Sequence, residues 1–134
     1  LHLHNWCIRD SAWYTGDPHS YREFIQGSRA EFSVAKNGYV RSSSGWVSDR
    51  TACYLASGKP VVAQWTGFDW PAPSGKGVLT FRTLEEAVEA IEAVNRDYLE
   101  HCRAARQIAE EHFDSAKVLG GILERVGLLE GVDL

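Results

Sequence analysis

The sequence predicts an α/β domain of three layers: a small parallel sheet between helices, followed by a run of C-terminal helices. Three observations carry that prediction. Short strand-length runs near Glu31, Val61 and Val78 alternate with helical patterns, the order expected of parallel strands joined by crossovers. Val61-Val62-Ala63 is apolar on both faces, as strands covered from both sides are. From Thr83 onward the apolar residues recur at helical spacing and no strand pattern returns. At 134 residues the chain has the size of a single domain, spanning 1–134.

The elements follow in order. Trp6-Cys7-Ile8 predicts a first strand. Asp17-Pro18 supplies an N-cap and first-turn proline to a short helix carrying Tyr21, Phe24 and Ile25, closed by Gly27. Glu31 to Ala35 alternates as a strand does. Lys36 to Val47, rich in serine and glycine, predicts a loop of functional length. Ser48 or Asp49 caps the next helix, which ends at Gly58 before Lys59-Pro60. Trp65 to Gly77 is a long connection, and Gly77 to Phe81 a further strand. Thr83 and Glu86 have capping-box spacing, and Leu84, Ala87, Val88, Ile91 and Val94 form an amphipathic stripe. Tyr98, Cys102, Ala105, Ile108, Ala109 and Phe113 extend it after a break near Asn95. Asp114-Ser115 caps a last helix bearing Val118, Leu119, Ile122, Leu123 and Val126. These C-terminal helices are expected to pack as one adjoining layer.

Composition narrows the function. A net charge of −4, from 14 basic and 18 acidic residues, argues against nucleic acid or an acidic membrane surface as a partner. No apolar run approaches the roughly 20 residues that span a bilayer. Cys7, Cys53 and Cys102 are widely spaced and odd in number, as expected of reduced, partly buried thiols in a cytoplasmic protein. Nothing near the His2-x-His4 pair completes a metal site, so no metal is predicted. The chain contains no methionine and begins with leucine, which predicts a piece of a longer reading frame or a processed chain.

Chemistry is expected where "SGWVSDR" runs into the helix after it. A helix N-terminus offers unpaired amides and partial positive charge, and in α/β proteins such starts hold anions. Gly45 permits close backbone approach, Ser48 and Asp49 lie at the helix start, and Arg50 has the fork geometry for a phosphate. The plainer alternative is that Ser48 and Asp49 only cap the helix and Arg50 pairs with a surface acid. Pro73 to Gly77 is either a second phosphate-friendly loop or an ordinary turn; it is no P-loop, since its consensus is absent. Trp65, Phe68 and Trp70 either stack on a base or sugar, or cover an exposed core edge or a lost domain interface. No G-x-S-x-G marks a nucleophile, and His101 and His112, on helices among charged residues, are expected to be solvated.

"EFSVAKNGYV", "SGWVSDRTACYLASGKPVVAQWTGF" and "TLEEAVEAIEAVNRDYLEHCRAARQIAEEHFDSAKVL" together resemble the C-terminal half of bacterial glycosyltransferases of the GT-B fold. The resemblance covers roughly Tyr21 to Val126. It implies a Rossmann-like domain that holds a nucleotide sugar, facing an N-terminal acceptor domain not contained in this chain. The donor is then a substrate, and no cofactor is implied. Donor phosphates would sit at Gly45, Ser48, Asp49 and Arg50, with base or sugar contacts from Lys36, Trp46, Trp65, Thr66 and Gly67. Matching "LASGKPVV" to the family's "A-x-G-x-P-V-V" segment puts Gly45 and Cys53 where the retaining branch carries acids, so both acids are absent. Trp65 and Lys76 stand where relatives tend to have Asp and Glu. No catalytic residue can be assigned. The implied function is sugar transfer from a nucleoside diphosphate, inactive in the isolated chain. The alternative is a free-standing, non-catalytic binding or assembly module. Absence of a facing domain would leave Trp46, Trp65, Phe68 and Trp70 as an aromatic surface for self-association.

Overall fold

The computed structural model describes residues 7–68 and 75–128. Among these residues three strands, β1 (Glu31–Ser33), β2 (Val61–Gln64) and β3 (Val78–Phe81), pair in parallel in the order β1-β2-β3. Glu31 pairs with Val61 and Val61 with Val78, so the three runs read from the sequence lie side by side. Seven helices surround them: α1 (Ala12–Thr15), α2 (Pro18–Gly27), α3 (Asn37–Arg41), α4 (Asp49–Ala56), α5 (Leu84–Arg96), α6 (Tyr98–His112) and α7 (Ser115–Arg125).

Alternation along the strands divides the core in two. Val61 and Val78 pack with Ile25 of α2, Tyr54 and Leu55 of α4, and Ala105, Ile108 and Ala109 of α6. Val62 and Phe81 face the other way, onto Ala87, Ala90 and Val94 of α5. The α/β, three-layer expectation therefore holds, and the residue period of two explains how a strand apolar throughout feeds both layers. The C-terminal helices do not form one layer. α5 covers one face of the sheet, and α6 crosses to the face of α4. The break between them falls at Asp97, two positions after Asn95, where the backbone leaves helical geometry.

Local signals set most boundaries. The Asp17 carboxylate accepts from the amides of His19 and Ser20 ahead of Pro18. Thr83 and Glu86 form the reciprocal capping box. Asp114 accepts from Ala116 and Lys117. α4 ends in a Schellman arrangement: the Lys59 amide donates to the Tyr54 carbonyl and the Gly58 amide to that of Leu55.

Further expectations fail. Cys7 and Ile8 are in no strand, and Trp6 lies outside the described residues. The Lys36–Val47 segment contains α3, whose Tyr39 stacks on Trp46 at 4.9 Å. Cys7 and Cys53 are exposed rather than partly buried; only Cys102 is half-buried, and all three thiols are free. The α7 stripe exists as a pattern, yet Val118, Leu119, Ile122, Leu123 and Val126 are exposed on it.

Candidate functional site

α4 begins at the C-terminal end of the parallel sheet, the edge where open α/β folds place ligands. The chain before it and the chain after β2 are fastened together there. The Gly45 amide donates to the Thr66 carbonyl at 2.8 Å, and the Thr66 hydroxyl donates to the Trp46 carbonyl at 2.6 Å. Thr66 has no exposed surface, so its hydroxyl is a strut within the protein. Gly67 adopts a φ of +96°, and a Cβ there would lie 2.6 Å from the Ser43 carbonyl oxygen. Only glycine fits that approach. Beneath this clasp is a crevice lined by Ser33, Trp46, Thr51, Gln64 and Phe68 with about 10 Å³ of free space, room for roughly one water. A nucleotide would have to lie over the rim.

The helix start is already partly satisfied. Ser48 is the N-cap by backbone, but its side chain makes no capping bond. The Asp49 carboxylate accepts from the Arg50 amide at 2.9 Å and from the Ser48 hydroxyl at 3.4 Å. The Thr51 amide donates to the Ser48 carbonyl. Two of the first three helix amides therefore have partners, and an incoming phosphate would meet the negative Asp49 carboxylate.

Arg50 pairs with an acid, but a buried one. Its Nε donates to Glu31 Oε1 at 2.8 Å and its Nη2 to Ser33 Oγ at 3.2 Å. The Glu31 side chain is 2% exposed and that of Arg50 45%. Burial pulls the Arg50 pKa down, while the Glu31 hydrogen bond and charge outweigh it and hold the guanidinium charged. Glu31 Oε2 is buried and has no hydrogen-bond partner among the described residues. Nη1 of Arg50 is uncommitted among those residues.

The other expected contacts scatter. Lys36 is exposed and is the backbone N-cap of α3. Trp65 is half-buried under the Arg82 guanidinium, 3.8 Å from its ring centroid. Trp46, Trp65 and Phe68 are all half-buried, and Trp70 lies outside the described residues. Large exposed apolar side chains lie elsewhere, among them Trp13 of α1, Leu99 of α6, Phe32, Val34 and residues of α5 and α7. Pro73 and Ser74 also fall outside the described residues. Lys76, at the end of that loop, bonds Glu100 at 2.6 Å. His112 is exposed as expected, but His101 is buried, and its Nδ1 accepts from the Gly77 amide at 3.2 Å.

The geometry is that of a helix start at an open sheet end whose first amides and Arg50 are already largely engaged within the protein. A family model described as glycosyl transferase-like matches residues 5–121. The chain belongs to this glycosyl transferase-like family. No curated protein and no solved structure gives a significant match. No helix among the described residues is long and apolar enough to cross a membrane.

Reading the sequence of this glycosyl transferase-like domain missed Glu31, Ser33 and His101. A carboxylate opening a buried strand was one available signal, because such a group needs a cation nearby. His101 gave none: its neighbours Glu100 and Arg103 are exposed, and the ring is buried by tertiary contacts with Gly77 and the Ala93 backbone.

Proposed function

We propose that this domain is the donor-binding half of a two-domain GT-B glycosyltransferase, moving a sugar from a nucleoside diphosphate to an acceptor held by a facing domain. The observation that carries this reading is the placement of the α4 start, with Arg50 beside it, at the C-terminal end of the sheet and flanked by the Gly45–Thr66 clasp. In this reading the diphosphate lies over Ser48 to Arg50. Asp49 turns away to free the Arg50 amide, Nη1 of Arg50 takes a phosphate oxygen, and the helix dipole meets the leaving charge. No metal or cofactor is required of the chain for that step. The isolated domain transfers nothing, because positioning of donor against acceptor supplies roughly 7–11 kcal/mol of such a barrier reduction.

One observation favours the second reading, a non-catalytic binding or assembly module. The Asp49 and Glu31 carboxylates already answer the amide and guanidinium that a phosphate would need. Titration of the labelled chain with uridine, guanosine, adenosine and thymidine diphosphates, followed by NMR, separates the two. Amide shifts at Ser48 to Arg50 at millimolar ligand are expected. Their absence for all four would reject the donor site and favour the module. Sustained nucleoside diphosphate release from sugar nucleotides by this chain alone would overturn the claim of inactivity.

A further inference from the structure

His101 joins three elements at one point. Its Nδ1 accepts from the Gly77 amide, immediately before β3, and the Ala93 backbone of α5 hydrogen-bonds the same ring. The Gly77 carbonyl in turn accepts from the Val61 amide at 2.8 Å, so this residue couples the start of β3 to β2. Gly77 is pressed against α6: a Cβ at its φ of +80° would lie 2.7 Å from the Ala105 amide nitrogen. No side chain can fill in if the contact opens, and the Gly77 amide has the imidazole as its acceptor.

We propose that His101 is a proton-operated latch: the neutral ring holds Gly77, and with it the start of β3, against α6, and protonation at Nδ1 releases that hold. The proton comes from solvent, and the ring becomes a cation with donors on both nitrogens. The Gly77 N–H then faces an N–H, and a buried charge has lost its acceptor role. Burial, the largest influence, keeps the ring's pKa below its ordinary value. Of the groups around it, Lys76 from the β3 side pushes the same way, while Asp97 at the junction of α5 and α6, Glu100 on α6 and the Ala93 backbone hydrogen bond from α5 oppose it. The sign follows. A depressed folded value means the latch contributes stability at neutral pH and loses it as pH falls below about 6.5 and through the folded value. This inference does not depend on what the α4 site binds.

Amide hydrogen exchange and imidazole titration by NMR between pH 7.5 and 5 test it. His101 should titrate below the value of an unstructured histidine. Gly77 exchange, corrected for its intrinsic pH dependence, should accelerate about tenfold per pH unit between the ordinary imidazole value and that of His101. His101→Asn places a non-titrating acceptor near the Nδ1 position and should flatten the profile. A Gly77 protection that stays constant in the natural chain would overturn the latch. So would a loss that only follows the core amides of Leu55 and Ala105, or an unchanged pH profile in His101→Asn.

Discussion

Gly67 approaches Ser43 so closely that the Ser43 carbonyl oxygen occupies the space any larger residue's Cβ would need, 2.6 Å from its ideal position. That contact, with the two hydrogen bonds of Thr66, joins the loop before α4 to the segment after β2. Gly67→Ala combines a steric clash with a left-handed backbone and should destabilise the chain by about 1–3 kcal/mol. Urea unfolding measures it. An unchanged midpoint would mean that the clasp yields without cost.

Arg50→Ala removes the partner of a buried carboxylate and should lower stability by about 1–3 kcal/mol, whatever it does to ligand binding. The paired change Glu31→Leu with Arg50→Leu should lose less than the two single changes added together, because no charge is left unanswered. A double-mutant cycle in urea reads the coupling. Strict additivity would show that the 2.8 Å contact is energetically idle.

Thr83→Ala takes away the hydroxyl that accepts from the Glu86 amide at 3.2 Å. The expected loss is about 1 kcal/mol, an ordinary N-cap value. Circular dichroism at the thermal midpoint would detect it. A stable variant would place the start of α5 under the control of packing at Ala87 instead.

The Asp17 carboxylate is held below the usual aspartate pKa by the Ser20 side-chain hydrogen bond first and by the Ser20 and His19 amides. A lowered folded value stabilises α2 while Asp17 is ionised, and the benefit disappears as pH falls through that value. The His19 and Ser20 amide shifts should therefore titrate with a midpoint below that of an unstructured aspartate. A midpoint at the unstructured value would show that the cap makes no difference to the proton.

The elements were legible wherever the information was local. Asp17-Pro18, Thr83-x-x-Glu86 and Asp114-Ser115 each contain their own helix start, and the structure uses all three. Val61-Val62-Ala63 announced a covered strand because no solvent-facing residue interrupts it. What depends on distant contacts was not legible. Arg50 reads as a ligand group until Glu31, on the neighbouring strand, is found beneath it. Thr66 reads as a contact residue until the fold closes over it. α3 is too short for its pattern to stand out from a loop, and the break at Asp97 is placed by two helices packing on opposite faces. The α7 stripe was read correctly as a pattern, but a pattern cannot say that its partner is missing from the described residues.

The pairing of Glu31 with Val61 and of Val61 with Val78 has a kinetic consequence. In a parallel sheet each new rung waits for a crossover to close, and the entropy of that closure precedes any reward from the strand contact. α5 and α6, built from near-neighbour contacts, can form on the helix timescale, well before the sheet. The strands should be the late event. During that delay the Phe32 edge and the Val62 rung are uncovered, so rapid dilution from denaturant at high concentration should favour aggregation over refolding. Lower protein concentration during dilution should recover the native chain, and a yield independent of concentration would contradict this order of events.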